Sequence, residues 1–99
     1  EIVKHRGIVI CANIAPFDED RVYNRGLIDQ YGKYIEVHVD TSLSVCEERD
    51  IKGLYKLARD GVIKQFTGIS DPFEESSNCD IKIEGVDLDG DLEKIMALL

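Results

Sequence analysis

The sequence has no excess of basic residues. Twelve Lys and Arg stand against twenty Asp and Glu in 99 residues, a net charge of −8. A surface built to hold nucleic acid is normally basic, so no nucleic-acid partner is expected. Long hydrophobic runs are missing too. The longest, Gly7–Ala12, falls far short of the roughly 20 residues that cross a bilayer. No basic-then-apolar leader with a small-residue cleavage site is visible. No membrane partner and a cytoplasmic location are the expectations. Cysteine is sparse: Cys11, Cys46 and Cys79 are widely separated and form no CxxC pair. That excludes a zinc-knuckle pattern and a disulfide framework, and leaves three reduced, mostly buried thiols as the expectation, with no metal ligands.

Several catalytic signatures are also lacking. There is no GxSxG, no HExxH, no Cys with a nearby His, and no glycine-rich GxxxxGK[ST] phosphate loop. Asp87, Asp89 and Asp91 do not make a calcium loop, because Gly90 stands fourth from Asp87 and an EF-hand needs its glycine sixth. No repeat, low-complexity tract or linker interrupts the chain. It begins at Glu1 without an initiator Met, as expected of a fragment boundary.

What is present is globular in balance: 43% hydrophobic and 32% charged residues, enough for one small domain or part of a larger one. Ile8–Ile14 (IVICANI) reads as a strand buried on both faces, ended by Pro16. Asp18, Glu19 and Asp20 suit the N-terminal end of a helix carrying Val22, Leu27, Ile28 and Tyr31, with Gly32 as its stop. Tyr34–Val39 (YIEVHV) reads as a second strand, in which His38 is a structural histidine. Ser42 and its neighbours cap a helix over Leu43–Arg49, on whose surface Glu47 and Arg49 are candidates to pair. Ile81–Ile83 reads as a short strand, and Asp87–Leu99 as a terminal helix with Leu88, Leu92, Ile95, Met96 and Leu99 in one stripe. Alternating strands and helices predict an α/β domain with a parallel sheet.

One stretch stands out in this acidic chain. Lys52, Lys56, Arg59 and Lys64 lie within thirteen positions, interleaved with Gly53, Gly61 and Gly68 around a short helix, Leu54–Arg59. Such an island is either a solvated loop or a clamp for an anion, since Lys and Arg focus on phosphate or sulfate charge.

The same stretch carries a resemblance. Asp40–Gly68 (DTSLSVCEERDIKGLYKLARDGVIKQFTG) resembles the hallmark segment of adenylylsulfate (APS) kinases, D-T-P-L-x-x-C-E-x-R-D-x-K-G-L-Y-K-x-A-R-x-G-x-I-x-x-F-T-G. Upstream, Ile14-Ala15-Pro16-Phe17 with Arg21 and Arg25 is similar to the family's I-S-P-F/Y…R…R segment. Downstream, Ile69–Glu74 (ISDPFE) is similar to its I-D-D-P-Y-E loop. The resemblance covers roughly residues 6 to 84. It implies a P-loop kinase-like, three-layer α/β domain with a parallel sheet, of which residues 1–99 are the C-terminal part and the phosphate-loop half is absent. The implied reaction moves the γ-phosphate of ATP, with Mg2+, to the 3′-hydroxyl of APS, giving ADP and PAPS. A chain without the phosphate loop is expected to be inactive alone.

The resemblance also assigns roles. Lys52 matches the lysine that contacts APS, Phe66 the ring that stacks on its adenine, and Gln65 a backbone contact beside it. Ile14 and Ala15 match strand-end positions lining the APS pocket, consistent with ligands binding at strand carboxyl ends. Arg59 falls in the lid and is the candidate catalytic cation for the transferring phosphoryl group. Val86, Asp87 and Leu88 fall where the ATP adenine is contacted. Two positions depart from the family. Ala15 replaces a serine proposed as a phosphorylated intermediate, closing that route here. Asp18 replaces an arginine. A homodimer or a fusion to ATP sulfurylase is the implied assembly. Two alternatives stay open: a catalytically dead, PAPS-binding regulator linked to a sulfurylase, and a kinase for another nucleotide-like anion.

Overall fold

β-Branched residues dominate two short segments far apart in the sequence, and these find each other. In the computed structural model, which describes all 99 residues, Val37–Val39 (β1) and Ile81–Ile83 (β2) pair in parallel. Val37 lies opposite Ile81 and Val39 opposite Ile83. Parallel neighbours require a crossover, and it is supplied by α2 (Leu43–Arg49) and α3 (Leu54–Arg59). Helix α1 (Asp18–Asp29) precedes the sheet, α4 (Leu88–Met96) follows it, and a single 3-10 turn, Val3–His5, opens the chain.

The helix ends follow local chemistry. Three acids fill the first turn of α1, where they oppose the positive end of the dipole. The Gly32 amide donates to Ile28 O at 3.0 Å, but α1 already ends at Asp29, ahead of the expected glycine stop. The Ser42 hydroxyl accepts from the Val45 amide, and the Asp87 carboxylate from the Gly90 amide. Gly53 enters α3 at φ 69, a left-handed conformation glycine adopts without steric cost.

The predicted strand Ile8–Ile14 does not form. The segment has no regular structure, and Ile8 and Ile10 are 84% and 90% exposed. A strand buried on both faces needs a strand on each side and layers above and below. The sheet has only two strands of three residues each, paired with each other. The second predicted strand, Tyr34–Val39, is shortened to β1 for a different reason. Side chains take part of its first residues' bonding: Arg25 donates to Tyr34 O and the Glu36 amide donates to Asp80 Oδ2 at 2.6 Å, while Glu36 O accepts from the Asp80 and Ile81 amides. The terminal helix is likewise shorter than its apolar stripe.

Only Ala58, Arg21, His38 and Asp91 are buried. Three of the four are polar or charged, so polar anchors hold much of the structure. Arg25 Nη2 reaches Asp80 Oδ2 at 2.5 Å and its guanidinium lies 4.7 Å from the Tyr34 ring. His38 stacks at 5.6 Å on Phe73, the structural role its place in β1 predicted. The cysteines are free, with Cys11 exposed and Cys46 and Cys79 half-buried; the expectation of buried thiols holds for none in full. Cys11 lies in the segment that failed to form a strand. No helix is long and apolar enough to cross a membrane.

Candidate functional site

One end of the basic island, at Lys52, opens on a cavity. Asp50, just past α2, accepts through Oδ1 from the Tyr55 amide at 2.9 Å and through Oδ2 from the Lys56 amide at 3.0 Å. This cap fixes the start of α3 against the end of α2. The hairpin leaves an opening of about 300 Å³ lined by Lys52 and Phe66 together with Cys46, Arg49, Ile51 and Tyr55. Phe66 is held from two sides. Tyr55 meets it edge to face at 5.0 Å, an arrangement favoured by the ring quadrupoles. The Ser70 hydroxyl accepts from its amide at 2.6 Å. Gln65 precedes it at φ 55, a strained left-handed conformation for a side chain of that size. Burial pushes the Tyr55 hydroxyl up from its ordinary pKa, and the neighbouring Cys46 thiol adds to the shift.

Lys52 and Phe66, two of the expected site residues, line the same opening. Arg49, Tyr55 and Cys46 were not among the expected site residues. Arg49 and Tyr55 stand three residues to either side of Lys52, but only the turn from α2 into α3 brings them to one opening.

Arg59 is placed differently. It projects from α3 and donates from Nε to Glu47 Oε1 at 2.6 Å and from Nη2 to Glu47 Oε2 at 3.3 Å. Glu47 therefore pairs across to Arg59 and not along α2 with Arg49. The two groups shift each other: Arg59 holds the Glu47 carboxyl below its usual range, and Glu47 raises the guanidinium. Arg59 does not line the Lys52–Phe66 cavity.

Ile14 and Ala15 belong to neither cavity. Ala15 adopts φ 42, a conformation that costs an alanine on the order of 1 kcal/mol. Its carbonyl accepts from Arg21 Nη1 at 2.6 Å, and the next carbonyl, of Pro16, accepts from the Glu74 amide at 2.8 Å. Asp18 accepts from the Ser77 amide at 3.0 Å and hydroxyl at 2.7 Å, bonds that lower its pKa. The departure from arginine at this position thus gives the 73–77 loop an anchor.

Val86 and Asp87 line a second cavity, of about 320 Å³, with Lys82, Glu84, Asp91 and Lys94. Leu88 is 77% exposed and stands outside it. The Asp91 carboxylate is turned inward, accepting from the Gly85 amide at 3.1 Å. No group of three His, Cys, Asp or Glu side chains is placed to hold a metal ion. These side chains therefore build no all-protein cage for a divalent ion, and Mg2+ carried mainly on ATP phosphates needs none.

The model of the family described as "Adenylylsulphate kinase" matches residues 1–84. The chain belongs to the adenylylsulphate kinase family. It is 53% identical over 76 residues to adenylyl-sulfate kinase 1, chloroplastic, of Arabidopsis thaliana, covering 77% of this chain and 27% of that protein. It is 50% identical over 90 residues to a probable adenylyl-sulfate kinase of Halalkalibacterium halodurans, covering 89% of this chain and 44% of that protein. A sulfate adenylyltransferase of Chaetomium globosum is 42% identical over 84 residues, 85% of this chain and 15% of that protein. Among solved structures, the Mycobacterium tuberculosis APS kinase CysC in complex with AMPPNP and APS superposes with a TM-score of 0.84 at 35% identity, over 93% of this chain and 54% of that one. The fold is thus α/β and P-loop kinase-like. The chain spans less than half the length of these curated adenylylsulphate kinases and about half of the solved one.

Proposed function

We propose that the protein carrying this chain is an ATP-dependent APS kinase, and that residues 1–99 are the C-terminal part of its kinase domain. In the proposed reaction the 3′-oxygen of APS attacks the γ-phosphorus of ATP. The bond from that phosphorus to the β–γ bridging oxygen breaks, ADP leaves, and the hydroxyl proton passes to solvent. Such a transfer rests on positioning and charge stabilisation more than on covalent help from the protein, so the missing hydroxyl at Ala15 is no obstacle.

The observation that carries the reading is the joint lining of one cavity by Lys52 and Phe66. Lys52 and Arg49 hold the phosphosulfate, Phe66 stacks on the adenine with the Gln65 backbone beside it, and Ile14 and Ala15, outside the Lys52–Phe66 opening, line the rest of the APS site. Arg59 leaves Glu47 to meet the transferring phosphoryl group. Val86 and Asp87, with Leu88 beside them, meet the adenine of ATP. The 99-residue chain alone, which holds no GxxxxGK[ST] loop, gives no turnover. The test is APS-dependent release of ADP by full-length protein with ATP.

A second reading is favoured by one observation: sulfate adenylyltransferases of two fungi match most of this chain. A PAPS-binding regulatory domain fused to a sulfurylase fits that pattern. It binds PAPS without APS-dependent ADP release, which separates it from the kinase. A cytoplasmic location and homodimer formation belong to the kinase reading.

A further inference from the structure

Arg21 is 6% exposed, although it sits in the first turn of a helix that faces solvent along most of its length. Its guanidinium forks between two backbone carbonyls from distant parts of the chain: Nη1 to Ala15 O and Nη2 to Glu74 O, each at 2.6 Å. The Phe73 ring covers it at 5.1 Å, and Phe73 stacks in turn on buried His38 of β1. The Asp18 carboxylate lies 3.6 Å from Nη2 and also anchors Ser77. Glu74 closes the arrangement, its amide on Pro16 O and its Oε1 accepting from the Asp18 amide at 2.9 Å. A left-handed alanine thus has its carbonyl fastened by a buried cation, next to a loop fastened by the same cation.

We infer that Arg21 is a positioning residue for the substrate pocket. It holds Ala15 in its left-handed conformation and locks the 73–77 loop beside it. It thereby sets where the Ile14–Ala15 backbone stands against APS. The inference rests on the kinase reading, in which the resemblance assigns Ile14 and Ala15 to a part of the APS site outside the opening that Lys52 and Phe66 line. A guanidinium is required because an ammonium offers no planar fork for two carbonyls at once.

The test is Arg21→Lys in the full-length protein, with Asp18→Ala as the milder variant that spares the buried guanidinium. Amide hydrogen exchange, which needs no substrate, is expected to quicken at Glu74 and Ser77 in both variants and stay unchanged in α4. Steady-state kinetics are expected to give a KM for APS raised about tenfold in Arg21→Lys, the scale of losing a charge-assisted hydrogen bond, with the KM for ATP within about twofold. Asp18→Ala gives a smaller shift in the same direction. Unchanged exchange in Arg21→Lys overturns the clamp. Faster exchange with an unchanged KM for APS, or an equal rise for both substrates, overturns the positioning role. Wild-type protein without APS-dependent turnover overturns the kinase reading and the pocket role with it. The exchange result identifies that failure separately.

Discussion

The guanidinium of Arg59 grips both carboxylate oxygens of Glu47, Nε on Oε1 at 2.6 Å and Nη2 on Oε2 at 3.3 Å. The pair links α2 to α3 and occupies the cation that the proposed reaction needs at the phosphoryl group. If Arg59 is that cation, its two partners compete. Arg59→Ala then lowers kcat by about a hundredfold, the scale of removing one transition-state donor, while Glu47→Gln leaves kcat within about threefold. A purely structural brace predicts equal effects from both substitutions. Because Arg59 lowers the Glu47 pKa, the pair is intact above the ordinary carboxyl value near 4.5 and is lost as pH falls through the lowered one.

Phe66→Ala in the full-length protein raises the KM for APS by about tenfold, since stacking of one base on a ring is worth about 1–3 kcal/mol. The KM for ATP changes far less. Tyr55→Phe keeps the edge-to-face contact with Phe66 and leaves both values near wild type. An unchanged KM for APS in Phe66→Ala removes the stacking role.

Lys52→Ala weakens APS binding in a salt-dependent way. The loss is largest at low ionic strength and shrinks as salt approaches 1 M, where the screening length falls to about 3 Å. Isothermal titration at two salt concentrations measures it. Equal losses at both argue that Lys52 acts through packing of its stem.

Asp80 supports the start of β1. Burial pushes its carboxyl up, but the Glu36 amide and Arg25 outweigh that and hold its pKa below the ordinary 3.8. A depressed native pKa contributes stability that is present above the unfolded value and lost as pH falls through the native one. Asp80→Ala therefore costs about 1–2 kcal/mol at pH 7, the scale of its hydrogen bonds to a charged group. The difference from wild type vanishes well below pH 3.8. Urea denaturation at pH 7, and at successively lower pH below 3.8, follows the loss.

The elements with local signals were legible in the sequence. Helices α2 and α3 fall where their caps and glycines put them, β2 is bounded as its alternation predicted, and α1 starts at its acids. The parallel pairing followed from strand and helix alternation. The strand Ile8–Ile14 does not form, because its β-branched composition reports a preference for burial that the segment, with Ile8 and Ile10 exposed, does not meet. Tyr34–Glu36 failed for another reason. Arg25, across the turn after α1, and Asp80, far along the chain, take groups a strand would use. At the candidate site, Lys52 and Phe66 were legible through a long motif. Arg49 and Tyr55 were missed because their place in the cavity depends on how α2 turns into α3, which Asp50 sets. The engagement of Arg59 by Glu47, twelve residues away, had no local signal. The clamp around Arg21 joins segments more than fifty residues apart, beyond the reach of any local pattern.

The most direct test of the account is coupled detection of ADP from full-length protein with ATP, with and without APS. The account predicts ADP release that requires APS and matches PAPS formation one to one. PAPS binding without APS-dependent ADP release contradicts it and favours the regulatory reading. Turnover with other adenylates at the same efficiency as APS contradicts the assignment of the substrate.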